Sequence, residues 1–103
     1  MEEIEFAVPK RCNLELAEKL IEDVCASMGL IVAMKGTLST YPGSLHWHFK
    51  RDRKQRGTLE LTLFTAGRRI WAKVQSGRKA PWINDVLPNI KRAIEKGLRK
   101  VGC

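Results

Sequence analysis

Hydrophobic and polar residues alternate along four stretches of the chain. In residues 3–8, Ile4, Phe6 and Val8 point one way and Glu3, Glu5 and Ala7 the other. In 44–50, Leu45, Trp47 and Phe49 oppose Ser44, His46, His48 and Lys50. In 58–64, Leu59, Leu61 and Leu63 oppose Thr58, Glu60, Thr62 and Phe64. In 69–75, Ile70, Ala72 and Val74 oppose Arg69, Trp71, Lys73 and Gln75. A period of two predicts half-buried strands. Residues 30–34 are a short apolar run with β-branched members and predict one more strand.

Two other stretches step by three and four. Leu14, Ala17, Leu20, Ile21, Val24 and Met28 make one apolar stripe, with Asn13 placed to cap its start and Gly29 to stop it. Ile83, Val86, Leu87, Ile90, Ile94 and Leu98 make a second, beginning near Pro81 or Asn84 and running to about Lys100. Pro88 must then lie at the helix start or kink the helix. Pro9, Tyr41-Pro42-Gly43 and Thr65-Ala66-Gly67-Arg68 are turn signals, the last joining two strands as a tight hairpin.

The predicted order is β-α-β-β-β-β-α. Each helix has one apolar stripe and each strand one strongly apolar face. The economical packing is α+β: an antiparallel β-sheet with two helices on one face, as a single domain over residues 1–103. This order resembles the repeat of TATA-binding-protein-like domains, a likeness of topology that implies helices covering one face of a curved sheet. The other face is left open. It is expected to carry His46, His48, Lys50, Glu60, Thr62, Phe64, Arg69, Trp71, Lys73 and Gln75. Trp47 and Trp82 are expected in the core and Trp71 to be the one exposed tryptophan.

Composition is that of an ordinary globular protein, 44% hydrophobic and 29% charged, so disorder is not expected. No apolar run approaches the roughly 20 residues of a membrane span, and the start is acidic where a secretory signal is basic. A cytoplasmic protein is expected. Cys12, Cys25 and Cys103 have no metal-binding spacing and read as reduced thiols.

Charge changes the picture more. The formal net charge is +8. Residues 35–79 hold Lys35, Lys50, Arg51, Arg53, Lys54, Arg56, Arg68, Arg69, Lys73, Arg78 and Lys79 against only Asp52 and Glu60. Such a basic middle concentrates positive potential where a polyanion docks. The expected function is a sequence-tolerant nucleic-acid-binding module, DNA or RNA. Lys50, Arg51, Arg53, Lys54 and Arg56 at a hairpin tip, Arg69 and Lys73 on the open face, and Arg78 and Lys79 before the last helix would hold phosphates. Phe64 and Trp71 would stack on bases. The segment Gln75-Ser76-Gly77-Arg78-Lys79-Ala80-Pro81 resembles the lysine-bearing entry to the second helix of double-stranded-RNA-binding domains. Those domains run α-β-β-β-α, and this chain adds a first and a middle strand.

Two other classes stay open. The same face could meet an acidic protein partner or form a homodimer; the alternative cover for Phe64 or Trp71 is packing against residues 36–43. His46 and His48 share a strand face, with Glu60 as a third metal ligand from a neighbouring strand, and so admit a metal-dependent hydrolase. Spacing specifies no fourth ligand, so no cofactor is expected and the histidines read first as polar sheet residues. Near phosphates they would protonate below about pH 6.5. No phosphate-binding Gly-rich loop, nucleophile elbow or pair of acidic residues placed at a pocket is evident, and no enzyme is expected.

Overall fold

The structure, a computed structural model, describes residues 2–101. Cys103 lies outside the described residues. The elements are β1 (Glu2–Phe6), a 3-10 turn (Leu14–Leu16) leading into α1 (Ala17–Ser27), β2 (Ile31–Gly36), β3 (Leu45–Lys50), β4 (Leu59–Phe64), β5 (Arg69–Val74), a second 3-10 turn (Ser76–Arg78) and α2 (Pro81–Val101). The strands form one antiparallel sheet in the order β1-β5-β4-β3-β2.

Register fixes the faces. Leu61 pairs with Trp47 on one side and Ala72 on the other, and Leu63 with Leu45 and Ile70. With Phe49, Leu59, Val74 and Phe6 they make one apolar surface. Ile21 and Cys25 of α1 and Ile83, Leu87, Ile90, Ile94 and Leu98 of α2 close over it as one buried cluster. The expected α+β arrangement is the observed one. No helix among the described residues is long and apolar enough to cross a membrane.

The helix ends follow their local chemistry. The Asn13 side chain accepts a hydrogen bond from Glu15 N at 2.9 Å. Gly29 takes φ +81°, and the Leu30 and Gly29 amides return to the Cys25 and Ala26 carbonyls, a Schellman stop. α2 begins at Pro81, which needs no amide donor in a first turn. Pro88 sits inside the helix rather than at its start. Asn84, whose carbonyl loses its amide partner there, is exposed, as is Pro88.

Two departures matter for function. β2 carries a bulge between Val32 and Met34. Val32 pairs with Phe49 on the helix side and Met34 with His48 on the open side. One extra residue flips every side chain after it. Lys35 therefore lies beside Trp47 on the helix side, where it pairs with Glu18 and Glu22 of α1. The second departure is Trp71. It was expected to be the exposed tryptophan, and only 4% of it is exposed. It does lie on the open face, since it pairs with Thr62 and Glu5. A loop covers it, not a helix: residues 37–44 fold back, and the Tyr41 ring meets Trp71 edge-on at 4.9 Å and Phe64 at 5.2 Å. Trp47 and Trp82 are buried as expected.

Candidate nucleic-acid interface

The eleven cations of residues 35–79 do not share one surface. They divide into those that hold the fold together and those that stand in solvent. Lys35 serves α1, as above. Lys50 turns back into its own hairpin and donates to Gly57 O at 3.0 Å. Arg68 takes φ +53°, and its guanidinium donates to the carbonyls of Pro9 and Cys12 at 2.9 and 2.8 Å. Those bonds offset the roughly 1–2 kcal/mol that left-handed backbone costs a non-glycine residue. Arg69 grips Glu5 through two hydrogen bonds of 3.0 and 2.8 Å and lies over the Trp71 ring at 4.4 Å. Its guanidinium holds the Glu5 carboxyl below the usual carboxylate range.

The other group gathers at the β3–β4 hairpin end of the sheet, beyond Lys50. The β3–β4 hairpin tip is held against the turn before α2 by two bonds. Thr58 N donates to Arg78 O at 3.0 Å, and the Trp82 indole donates to Arg56 O at 2.8 Å. Gly57 makes the approach possible. Its φ is +107°, and a Cβ there would stand 2.6 Å from Ala80 Cβ and 2.7 Å from Trp82 Nε1. Arg51, Arg53, Lys54 and Arg56 are exposed and form no ion pair among the described residues. Arg78 and Lys79 are exposed beside them. Asp52 is the one carboxylate in the tip, and it accepts from Lys54 N at 2.7 Å to shape the turn.

Between these ends, the open face is a polar hollow of about 430 Å³, walled by Tyr41, Trp71, Met34 and Leu38 and floored by His46, His48, Glu60, Thr62 and Lys73. The His46, His48 and Glu60 side chains come together as the alternation implied. Glu60 is 4% exposed. Its oxygens face His46 Nε2 at 3.3 Å and His48 Nε2 at 3.9 Å, and Gln75 Nε2 donates to one of them at 2.9 Å. Arg78 stands 3.8 Å from the same carboxylate and 3.4 Å from His48 Nδ1. His46 Nδ1 and Thr62 Oγ1 are 2.8 Å apart.

Burial lowers the pKa of both histidines below 6.5; Glu60 opposes this, while neighbouring cationic groups add to it. In the protein alone the two imidazoles therefore stay neutral to lower pH than an ordinary histidine. Gln75 and Tyr41 were not singled out as site residues. Gln75 was expected on the open face as the last position of the 69–75 strand, with no role given to it, while Tyr41 was read as part of a turn and only the fold-back of 37–44 brings it over the sheet.

Phe64 and Trp71 do lie together on the open face, but with each other's neighbours already in place. Trp71 lies beneath Tyr41 and Arg69. Phe64 is half-buried between Tyr41 and the backbone of Gly67, where a Cβ would come within 2.7 Å of its ring. Lys73 is half-exposed beside Glu60 and forms no ion pair among the described residues. No protein family matches the chain, and comparison with curated proteins and with solved structures finds no match.

Proposed function

We propose that this protein is a small nucleic-acid-binding module that grips the phosphate backbone with one end of its sheet. The observation that carries the proposal is the pinning of the 51–57 tip to the turn before α2. It brings Arg51, Arg53, Lys54, Arg56, Arg78 and Lys79 together, with Asp52 in the tip and Glu60, 3.8 Å from Arg78, as the carboxylates beside them. Cations so placed release condensed counterions from a polyanion when they dock, and this supplies affinity without reading sequence. Base stacking is not part of the proposal, because Trp71 is covered.

The test is fluorescence anisotropy with labelled DNA and RNA, single- and double-stranded, between about 50 and 200 mM salt. With about five phosphates neutralised, log Kd against log salt should change with a slope of magnitude roughly 3.5 to 4.5. An affinity indifferent to salt contradicts the reading.

A homodimer is the second reading. The edge strand β2 favours it, because Ile31, Val32 and Met34 are about two-fifths exposed along a strand that pairs with β3 on one side only. Size-exclusion chromatography without nucleic acid separates the two, since a tight dimer favours this second reading.

A further inference from the structure

We propose that His46, His48 and Glu60 form a binding site for one zinc-class divalent cation on the open face of the sheet. The proposal does not rest on nucleic-acid binding, although Arg78 borders both sites; it rests on geometry. One ligand atom from each residue can be chosen so that all three lie within 4.8 Å of one another. Adjacent strands supply them: His48 pairs with Glu60, and His46 with Thr62, in the β3–β4 ladder. The sheet therefore fixes the spacing of all three.

The distances fit a small tetrahedral ion. Zinc bonds of about 2.0–2.1 Å place neighbouring ligand atoms about 3.3 Å apart. His46 Nε2 and the Glu60 carboxylate are already 3.3 Å apart. His48 Nε2 faces the other carboxylate oxygen at 3.9 Å, too long for a hydrogen bond. A cation shared by all three groups draws the half-buried His48 ring closer to the carboxylate.

The next layer suits the same role. With the ion on Nε2, the His46 Nδ1–H donates to Thr62 Oγ1, at 2.8 Å, the outer bond that orients metal-bound histidines. Gln75 steadies the carboxylate from the side. The hollow beside the three residues, lined also by Tyr41 and Lys73, has room for water or a small anion as a fourth ligand. Two imidazoles and one carboxylate select zinc and its first-row neighbours over magnesium or calcium, which prefer oxygen alone.

Arg78 supplies the signature that separates this site from casual zinc binding by surface histidines. Its guanidinium stands 3.8 Å from Glu60 and 3.4 Å from His48. It occupies the cation's electrostatic place and would have to swing out, which its half-exposed side chain allows. Removing it should therefore tighten zinc binding.

The experiment is isothermal titration of chelator-stripped protein with zinc chloride and, separately, magnesium chloride, near neutral pH. Zinc should bind one ion per chain and magnesium should give no heat above dilution. His48→Ala and Glu60→Gln should each weaken zinc at least tenfold, and Arg78→Ala should strengthen it severalfold. Urea unfolding of each variant establishes that it is folded, and visible absorption of the cobalt-loaded protein reads tetrahedral coordination. Absence of zinc binding overturns the proposal. So does zinc binding of equal strength in folded His48→Ala and Glu60→Gln, or equal binding of magnesium.

Discussion

The two ends of the open face make opposite use of the same kind of residue. At the hairpin tip, the side chains of Arg51, Arg53, Lys54 and Arg56 stand in solvent and form no ion pair among the described residues. On the sheet, Glu60, His46, Thr62 and Trp71 are buried, although their side of the strands faces away from both helices. The difference lies in what covers them. The tip has nothing above it. The sheet has Tyr41 and the 37–44 segment above it, and a polar residue buried there needs a hydrogen-bond partner. Every buried side-chain nitrogen and oxygen among the described residues has one. Polar character along a strand is thus a poor guide to exposure once a loop folds back, whereas a charged run in a hairpin tip remains a good one.

This contrast predicts that substitutions in the hollow cost stability and those at the tip cost binding. The largest effect should come from Trp71→Ala, which removes a ring buried under Tyr41 and Arg69. It should lower unfolding free energy by about 3–5 kcal/mol in urea titration. A change below about 1 kcal/mol would show the ring to be exposed and break the contrast. Trp47→Ala should cost about as much, with the Glu22 carboxylate losing the indole it accepts from at 2.9 Å.

Gly57→Ala tests the joint that assembles the basic end. Strained backbone and the clash with Ala80 and Trp82 should cost about 1–3 kcal/mol. It should also weaken polyanion binding, because the tip and the turn before α2 are no longer held together. Full stability with unchanged binding would mean the joint is not needed.

A smaller effect should appear with pH. His46 and His48 are held neutral in the folded protein, chiefly by burial, so their folded pKa lies below the ordinary 6.5. The unfolded chain then takes up more protons between the two values. Stability should be full above about pH 6.5 and fall as the pH drops from there toward the folded pKa. The groups facing these imidazoles are Glu60, Lys73, Arg78, Gln75 and Tyr41, with Glu3 at the margin of the hollow. Thermal melts from pH 7.5 to 5 check the sign. A melting temperature that rises over that range would contradict it. Single tip substitutions such as Arg53→Ser should leave stability unchanged within about 0.5 kcal/mol and reduce the salt slope by about 1 at most.

Much of the architecture was legible in the chain because the evidence was local. The alternation in 44–50, 58–64 and 69–75 fixed which residues share a face, and Asn13 and Gly29 marked the first helix. The meeting of His46, His48 and Glu60 followed from the same alternation. What escaped was non-local. Lys35 was counted in the basic middle of the chain, and nothing in residues 30–36 announces the bulge at Val32 and Met34 that turns it toward α1. Trp71 looked exposed because its cover comes from Tyr41, thirty residues away in sequence and across the sheet. Arg69 looked available to phosphate because its partner, Glu5, sits on a strand whose place beside β5 depends on the whole topology.

The account's central claim is that charge position, and not charge total, gives this protein its hold on a polyanion. Two charge-matched variants test it most directly. In one, Arg51, Arg53, Lys54 and Arg56 become serine. In the other, the exposed Lys10, Arg11, Lys96 and Lys100, remote from the tip, become serine. Anisotropy with one labelled oligonucleotide at one salt concentration should show binding lost in the first and nearly kept in the second. Equal losses in the two would contradict the claim, as would retention of full affinity by the tip variant.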